Sequence, residues 1–326
     1  MGGRFFVVGG WADPPCPAGA LCMRPKEPAL RDGATFDPIS GQWKRIADAP
    51  VPLSASLNVV VADGRLFLLT AELGRPDSPS TFLSYDPGED QWATLPFPDT
   101  DSDCLQVLGA GTKVVVIACS DERGATQDAV FDTATARWSR LPTDPLRPSY
   151  GRTAAWLGDR LLLTASDLVP NPGSKGPTLT RLAVLDESLT QWTLLPDSDI
   201  IGGHPQWVSN RIVFPMLGSE DGGKVGNWGR HYPYGAILDP ATRVWTALPD
   251  PPAPGSGIQG SIGNVGDSTL VGGQLLNPQT EKWTRLPDAP WDDASAQTMV
   301  TSTDSIFVWG GAANGRNVAD GYLLIL

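Results

Sequence analysis

The chain has only two histidines, four cysteines and four methionines among 326 residues. Its 24 Lys and Arg are outnumbered by 36 Asp and Glu, a formal net charge of −12. A phosphate-binding face needs a basic surface, so neither nucleic acid nor an anionic membrane is expected as a partner. No apolar run approaches the roughly 18 residues that a membrane-spanning helix needs, so no membrane insertion is expected. The chain as given shows no N-terminal signal peptide. G-x-S-x-G, Walker, H-E-x-x-H and C-x-x-C patterns are all missing. Their absence removes the commonest short signatures of catalysis and metal binding. No window carries a sustained 3.6-residue apolar period, so the expected fold is all-β.

Glycine (36), proline (31) and tryptophan (12) are plentiful, and six of the tryptophans are periodic. An Asp or Asn is followed six residues later by Trp, then by Leu-Pro or a near equivalent. The pairs are Asp37/Trp43, Asp86/Trp92, Asp132/Trp138, Asp186/Trp192, Asp239/Trp245 and Asn277/Trp283. Asp or Asn followed by Pro forms a turn, and a Leu-Pro ending stops a strand, because Pro cannot donate to a ladder. A second set of tight turns lies upstream, at Asp63-Gly64, Gly111-Thr112, Gly158-Asp159, Ser209-Asn210, Gly266-Asp267 and Thr303-Asp304. Each unit is therefore four antiparallel strands, a to d. Strand b begins near Arg4, Arg65, Lys113, Arg160, Arg211, Thr269 and Ser305, so there are seven units. Strand a of the first and strand d of the last are missing. The whole of 1–326 reads as one seven-bladed β-propeller domain with incomplete first and last blades.

These residues resemble the Kelch repeat. The Gly-Gly doublet that ends strand b in that family stands at Gly9-Gly10, Gly272-Gly273 and Gly310-Gly311. Units two to five carry Thr70-Ala71, Ala118-Cys119, Ala165-Ser166 and Met216-Leu217 instead. The resemblance covers essentially the whole chain. It implies the propeller and no single activity, since function sits in loops grafted on the fold.

Cys104 and Cys119 are equidistant from the turn at Gly111-Thr112, hence opposite one another across a hairpin. A disulfide is expected there, and a second between Cys16 and Cys22 within one loop. Two pairs point to an oxidising compartment, extracellular or periplasmic.

The b–c and d–a connections open on one face of the ring, and the short a–b and c–d turns on the other. Long b–c connections occur in units one, four and five. The binding residues expected on this face are Trp11, Asp103, Arg152, His204, Trp228, Arg230, His231, Tyr232 and Tyr234. Asn58, Gln106, Thr153, His204, Ser261 and Thr298 recur at one strand-a position, which suggests a polar ring around a watery channel.

The expected function is binding of a protein or a glycan by a monomer, with no metal, no cofactor and no catalytic residues. The alternative is a secreted enzyme on the same scaffold. Propellers of galactose-oxidase type hold copper with Tyr, His and a Cys-linked Tyr from several blades, whereas here His204, His231, Tyr232 and Tyr234 crowd into one unit. A sugar mutarotase would need an acid/base pair and an Arg, for which Arg152 with Asp103 or His204 would serve. The strands missing at the seam are consecutive in the repeat. They would fall just before Met1 in a longer protein, and without them two strand edges lie bare.

Overall fold

The computed structural model describes residues 1–13, 28–54, 58–70, 80–98, 104–168, 177–221, 231–252, 262–288, 297–313 and 316–326. Every segment between these falls in a b–c or d–a connection. The seven units form seven antiparallel sheets arranged as a ring, a β-propeller. Blade 1 holds Phe5–Val8, Gly33–Asp37 and Gln42–Arg45. Blade 2 holds Asn58–Ala62, Arg65–Thr70, Thr81–Asp86 and Gln91–Leu95, and blade 3 Leu105–Ala110, Lys113–Ala118, Ala129–Asp132 and Arg137–Arg140. Blade 4 is Ser149–Leu157, Arg160–Asp167, Thr180–Leu185 and Trp192–Leu194; blade 5 is Gln206–Val208, Arg211–Val213, Ala236–Asp239 and Val244–Ala247. Blade 6 is Asn264–Val265, Ser268–Val271, Gln274–Asn277 and Lys282–Arg285, and blade 7 is Thr298–Thr301, Ser305–Trp309 and Gly321–Ile325. Five sheets thus have four strands, while blade 1 lacks strand a and blade 7 lacks strand d among the described residues.

The c–d turns close as their sequences dictate. The Asp or Asn side chain accepts backbone N–H groups of the turn: Asp37 from Ile39 and Ser40, Asp86 from Gly88 and Glu89, Asp239 from Ala241 and Thr242, Asn277 from Gln279 and Thr280. Asp132 caps its turn through Thr135, and Asp186 through Thr190 and Gln191. Hydrogen bonds to the ionised form favour it. The Lys113 ammonium and Thr135 hold Asp132 at about 2, and the Thr190 and Gln191 amides hold Asp186 at about 2. Both folded values lie below the ordinary Asp range near 3.9. Their contribution to stability is therefore complete above about pH 4 and lost as the pH falls towards 2. In acid denaturation, the double variant Asp132→Asn/Asp186→Asn is expected to show a shallower fall in stability between pH 4 and 2 than the parent. Parallel curves would remove these turns from the acid response.

The Trp of each strand d lies against the preceding blade. Its indole N–H donates to the backbone carbonyl just past that blade's strand d: Trp92 to Ala47 (2.8 Å), Trp138 to Pro96 (2.7 Å), Trp192 to Pro142 (2.9 Å) and Trp245 to Pro196 (3.4 Å). Trp283 makes no such bond, and its buried Nε1 has no protein partner. Five of the rings are half-buried and Trp43 is exposed, because strand d is the outermost strand.

Apolar residues of strands b and c pack between blades. Phe67, Phe82, Val114, Val116 and Phe131 join blades 2 and 3, and Val115, Ile117, Leu161, Leu163 and Leu185 join blades 3 and 4. The ring closes where blade 7 meets blade 1. Phe5 stacks on Phe307 at 4.7 Å, Phe36 lies 5.8 Å from Phe307, and Trp43 lies 4.7 Å from Trp309.

The inner strands are tied directly to one another. Gln106 brackets Ala154 of the next blade, accepting its N–H at 2.7 Å and donating to its carbonyl at 3.1 Å. Thr153 Oγ1 lies 2.8 Å from Thr164 Oγ1 and accepts the His204 N–H at 3.4 Å. Gln106 and Thr153, two members of the polar column, thus link blade to blade.

The Cys104–Cys119 disulfide is present, with an S–S distance of 2.08 Å and a Cα–Cα distance of 5.4 Å. Cys119 N–H donates to Cys104 O at 3.0 Å, so this is a hydrogen-bonded cross-strand position, with the Cα spacing usual for one. Cys16 and Cys22 lie outside the described residues.

Candidate functional site

The two faces of the ring differ in kind. The c–d side is a set of short, self-capped turns. The b–c/d–a side carries all the long connections, and there the sequence-expected residues separate into three groups.

The first is centred on blade 5. Its b–c connection forms an unexpected extra hairpin, Ser219–Asp221 paired with His231–Pro233. His231 is exposed and Tyr232 is buried beneath it. Tyr234, half-buried, donates its hydroxyl to Glu220 Oε2 at 2.8 Å, which raises the phenol's pKa. The hairpin base rests on the d–a connection before it. Ile201 N–H donates to Pro233 O at 3.0 Å, and Gly202 approaches the Tyr234 backbone so closely that any Cβ would overlap its carbonyl. His204 follows two residues later, exposed, in the left-handed region at φ 60°. His204, His231 and Tyr234 therefore belong to two connections locked together at one blade.

The second group surrounds Arg152. Its side chain is fully buried, with Nη2 2.6 Å from Asp128 Oδ2 and 2.9 Å from Asp144 Oδ2. Arg147 Nε lies 2.8 Å from both Asp144 Oδ2 and Asp121 Oδ2. Only the Asp144 contact has hydrogen-bond alignment, while Asp121 Oδ2 is an ion-pair neighbour. Three buried carboxylates and two guanidiniums thus clamp the d–a connection between blades 3 and 4 onto the b–c connection of blade 3. Backbone bonds reinforce the clamp, between Asp121 and Ser149 in both directions and from Arg152 N–H to Cys119 O at 2.8 Å. Arg152 Nε and Nη1 have no protein partner. The guanidinium faces inward, towards carboxylates, rather than out to the mouth.

The third group is at the seam. Half-buried Trp11 follows strand b of blade 1, and its carbonyl accepts from Asn317 Nδ2 at 3.3 Å. Asn317 belongs to a second unexpected hairpin, Ala312–Ala313 with Arg316–Asn317, in the b–c connection of blade 7. Asp103, Trp228 and Arg230 lie outside the described residues.

Sequence reasoning missed Asp121, Asp128, Asp144 and Arg147. They come from two connections of no recognisable pattern, and only folding brings them together. Among the described residues, no three His, Cys, Asp or Glu side chains are grouped to hold a metal ion. No helix of the described chain is long and apolar enough to cross a membrane. No protein-family model matches the chain, and no curated protein matches it either.

Proposed function

We propose that this propeller is a binding module of Kelch type that takes a protein or glycan ligand on its b–c/d–a face. The observation that carries this reading is the locked pair of connections at blade 5. A β-hairpin held by the Tyr234–Glu220 bond and by the Ile201–Pro233 bond presents His231 and His204 outward from a rigid base. Rigid loops that display aromatic and hydrogen-bonding groups lower the ordering cost of association. Trp11, Asp103, Trp228, Arg230 and Tyr234 extend the proposed surface, while Tyr232 and Arg152, both buried, act behind it, Tyr232 under the hairpin and Arg152 in the clamp between blades 3 and 4. The Cys104–Cys119 bond is compatible with an exported protein, extracellular or periplasmic.

Replacing residues 222–230 by a short Gly-Ser linker leaves Tyr232 in its buried place. This variant is expected to lose at least tenfold in affinity for a ligand found by glycan array or by cross-linking to co-secreted proteins, with an unchanged melting midpoint. Unchanged affinity in the well-folded variant would remove the blade-5 hairpin from the binding surface.

A further inference from the structure

The outer edge of blade 7 lies away from the b–c/d–a face and serves none of the roles above. Strand c, Gly321–Ile325, ends this sheet among the described residues, whereas in every other blade strand c is covered by strand d. The exposed edge carries Tyr322, Ile325 and Leu326. Beside it runs a groove of about 270 Å³, lined by Phe36, Trp43, Phe307, Trp309, Leu323 and Asp320. Aromatic walls beside a strand edge that no further strand covers among the described residues favour the addition of a strand.

The other blades specify what fits. Each Trp of strand d pairs with the last apolar residue of strand c, as in Tyr85↔Trp92, Phe131↔Trp138 and Leu276↔Trp283. The equivalent residue in blade 7 is Leu324, because Ile306↔Leu324 matches Leu66↔Tyr85. An incoming Trp would therefore face Leu324, and a Leu three residues later would face Gly321. A Cβ at Gly321 would collide with the Trp309 ring and the Val308 carbonyl, so only glycine fits opposite that Leu.

A second requirement comes from blade 1. The Trp of a strand d donates to the carbonyl four residues beyond the Trp of the preceding blade, as Trp92 does to Ala47 and Trp138 to Pro96. Trp43, 42% exposed, has no preceding strand d to supply that carbonyl among the described residues. A Trp-x-x-Leu-Pro segment carries it at its proline. Charge agrees as well. The chain has a net charge of −12 and Asp320 borders the groove, while strands d carry Lys44, Arg45, Arg140 and Arg285.

We infer that this groove docks an extended peptide strand of the Trp-x-basic-Leu-Pro type, antiparallel to Gly321–Ile325, with its proline carbonyl accepting the Trp43 indole N–H. The probe is a labelled synthetic peptide with the sequence of residues 281–288, added to the full 326-residue protein and followed by fluorescence anisotropy. Saturable binding is expected, falling at least tenfold when the peptide Trp becomes Ala. Trp43→Phe keeps the ring packing and removes the N–H, and is expected to weaken binding several-fold with an unchanged melting curve. Equal binding of a scrambled peptide, or no saturation at millimolar concentration, would overturn the inference. So would a dimer of this chain that the peptide fails to dissociate, because the edge would then be paired with a second copy.

Discussion

Asp144→Ala is expected to lower the unfolding free energy by about 3–5 kcal/mol, the range seen when one partner of a buried ion pair is removed. The substitution takes an acceptor from Arg152 and Arg147 together and leaves the Leu146 N–H, bonded to Asp144 Oδ1 at 2.9 Å, without its partner. Burial rather than charge alone sets the size. Asp288→Ala breaks the Arg285–Asp288 pair, whose side chains are 60% and 80% exposed, and is expected to change stability by less than about 0.5 kcal/mol. The Asp144 effect should also persist in 1 M salt, where exposed pairs are screened. Chemical denaturation of the two variants checks both statements. A loss below about 1 kcal/mol for Asp144→Ala would show that water reaches the cluster and that Arg152 is less committed to its carboxylates than its geometry indicates.

Trp138→Ala is the second large effect, at about 3 kcal/mol. Its indole lies 5.2 Å from Phe82, 5.5 Å from Phe97 and 5.2 Å from Phe131, and it donates to Pro96. The substitution opens a gap between blades 2 and 3 and leaves that carbonyl without its donor. The value sits at the low end of the range for aromatic truncation because the ring is half-buried. Trp138→Phe separates the two contributions: it retains most of the packing and loses only the bond, with an expected cost of about 1 kcal/mol. A denaturation midpoint for Trp138→Ala equal to the parent's would refute the assignment of this residue to the joint between blades.

The blades were legible in the sequence because each is written in local, repeated chemistry. Asp239-Pro240 makes its turn, Trp245 six residues after the Asp lies at the head of the strand Val244–Ala247, and Leu248-Pro249 ends it, each through contacts within a few residues. The starts of strand b matched closely for the same reason: Arg65, Lys113, Arg160, Arg211 and Ser305 each begin one. The seam was legible too, because a missing copy in a regular series is as plain as a present one. The clamp of Asp121, Asp128, Asp144, Arg147 and Arg152 was not. Its members lie in two irregular connections, and no periodicity relates an Asp in one to an Arg in the other. The hairpin of Ser219–Asp221 and His231–Pro233 escaped for a different reason: its strands are three residues each, too short for an alternation to register. Gln106 and Thr153 were legible as polar positions on an inner strand, yet their partners were not, since a side chain's type does not say whether water or the neighbouring backbone will satisfy it.

The tryptophan joints have a direction. Trp92 reaches back to Ala47, Trp138 to Pro96, Trp192 to Pro142 and Trp245 to Pro196. In each pair the acceptor precedes the donor by one blade, so it has already left the ribosome when the tryptophan emerges. A growing chain can therefore fasten each new blade to the one just finished, over a loop of a single blade's length, without waiting for the rest. The contacts of Phe5, Phe36 and Trp43 with Phe307 and Trp309, and of Asn317 with Trp11, instead join blade 1 to blade 7, residues far apart in the chain. Closing the circle is then a separate, late event, governed by aromatic stacking at one seam rather than by the joints that set the order of assembly.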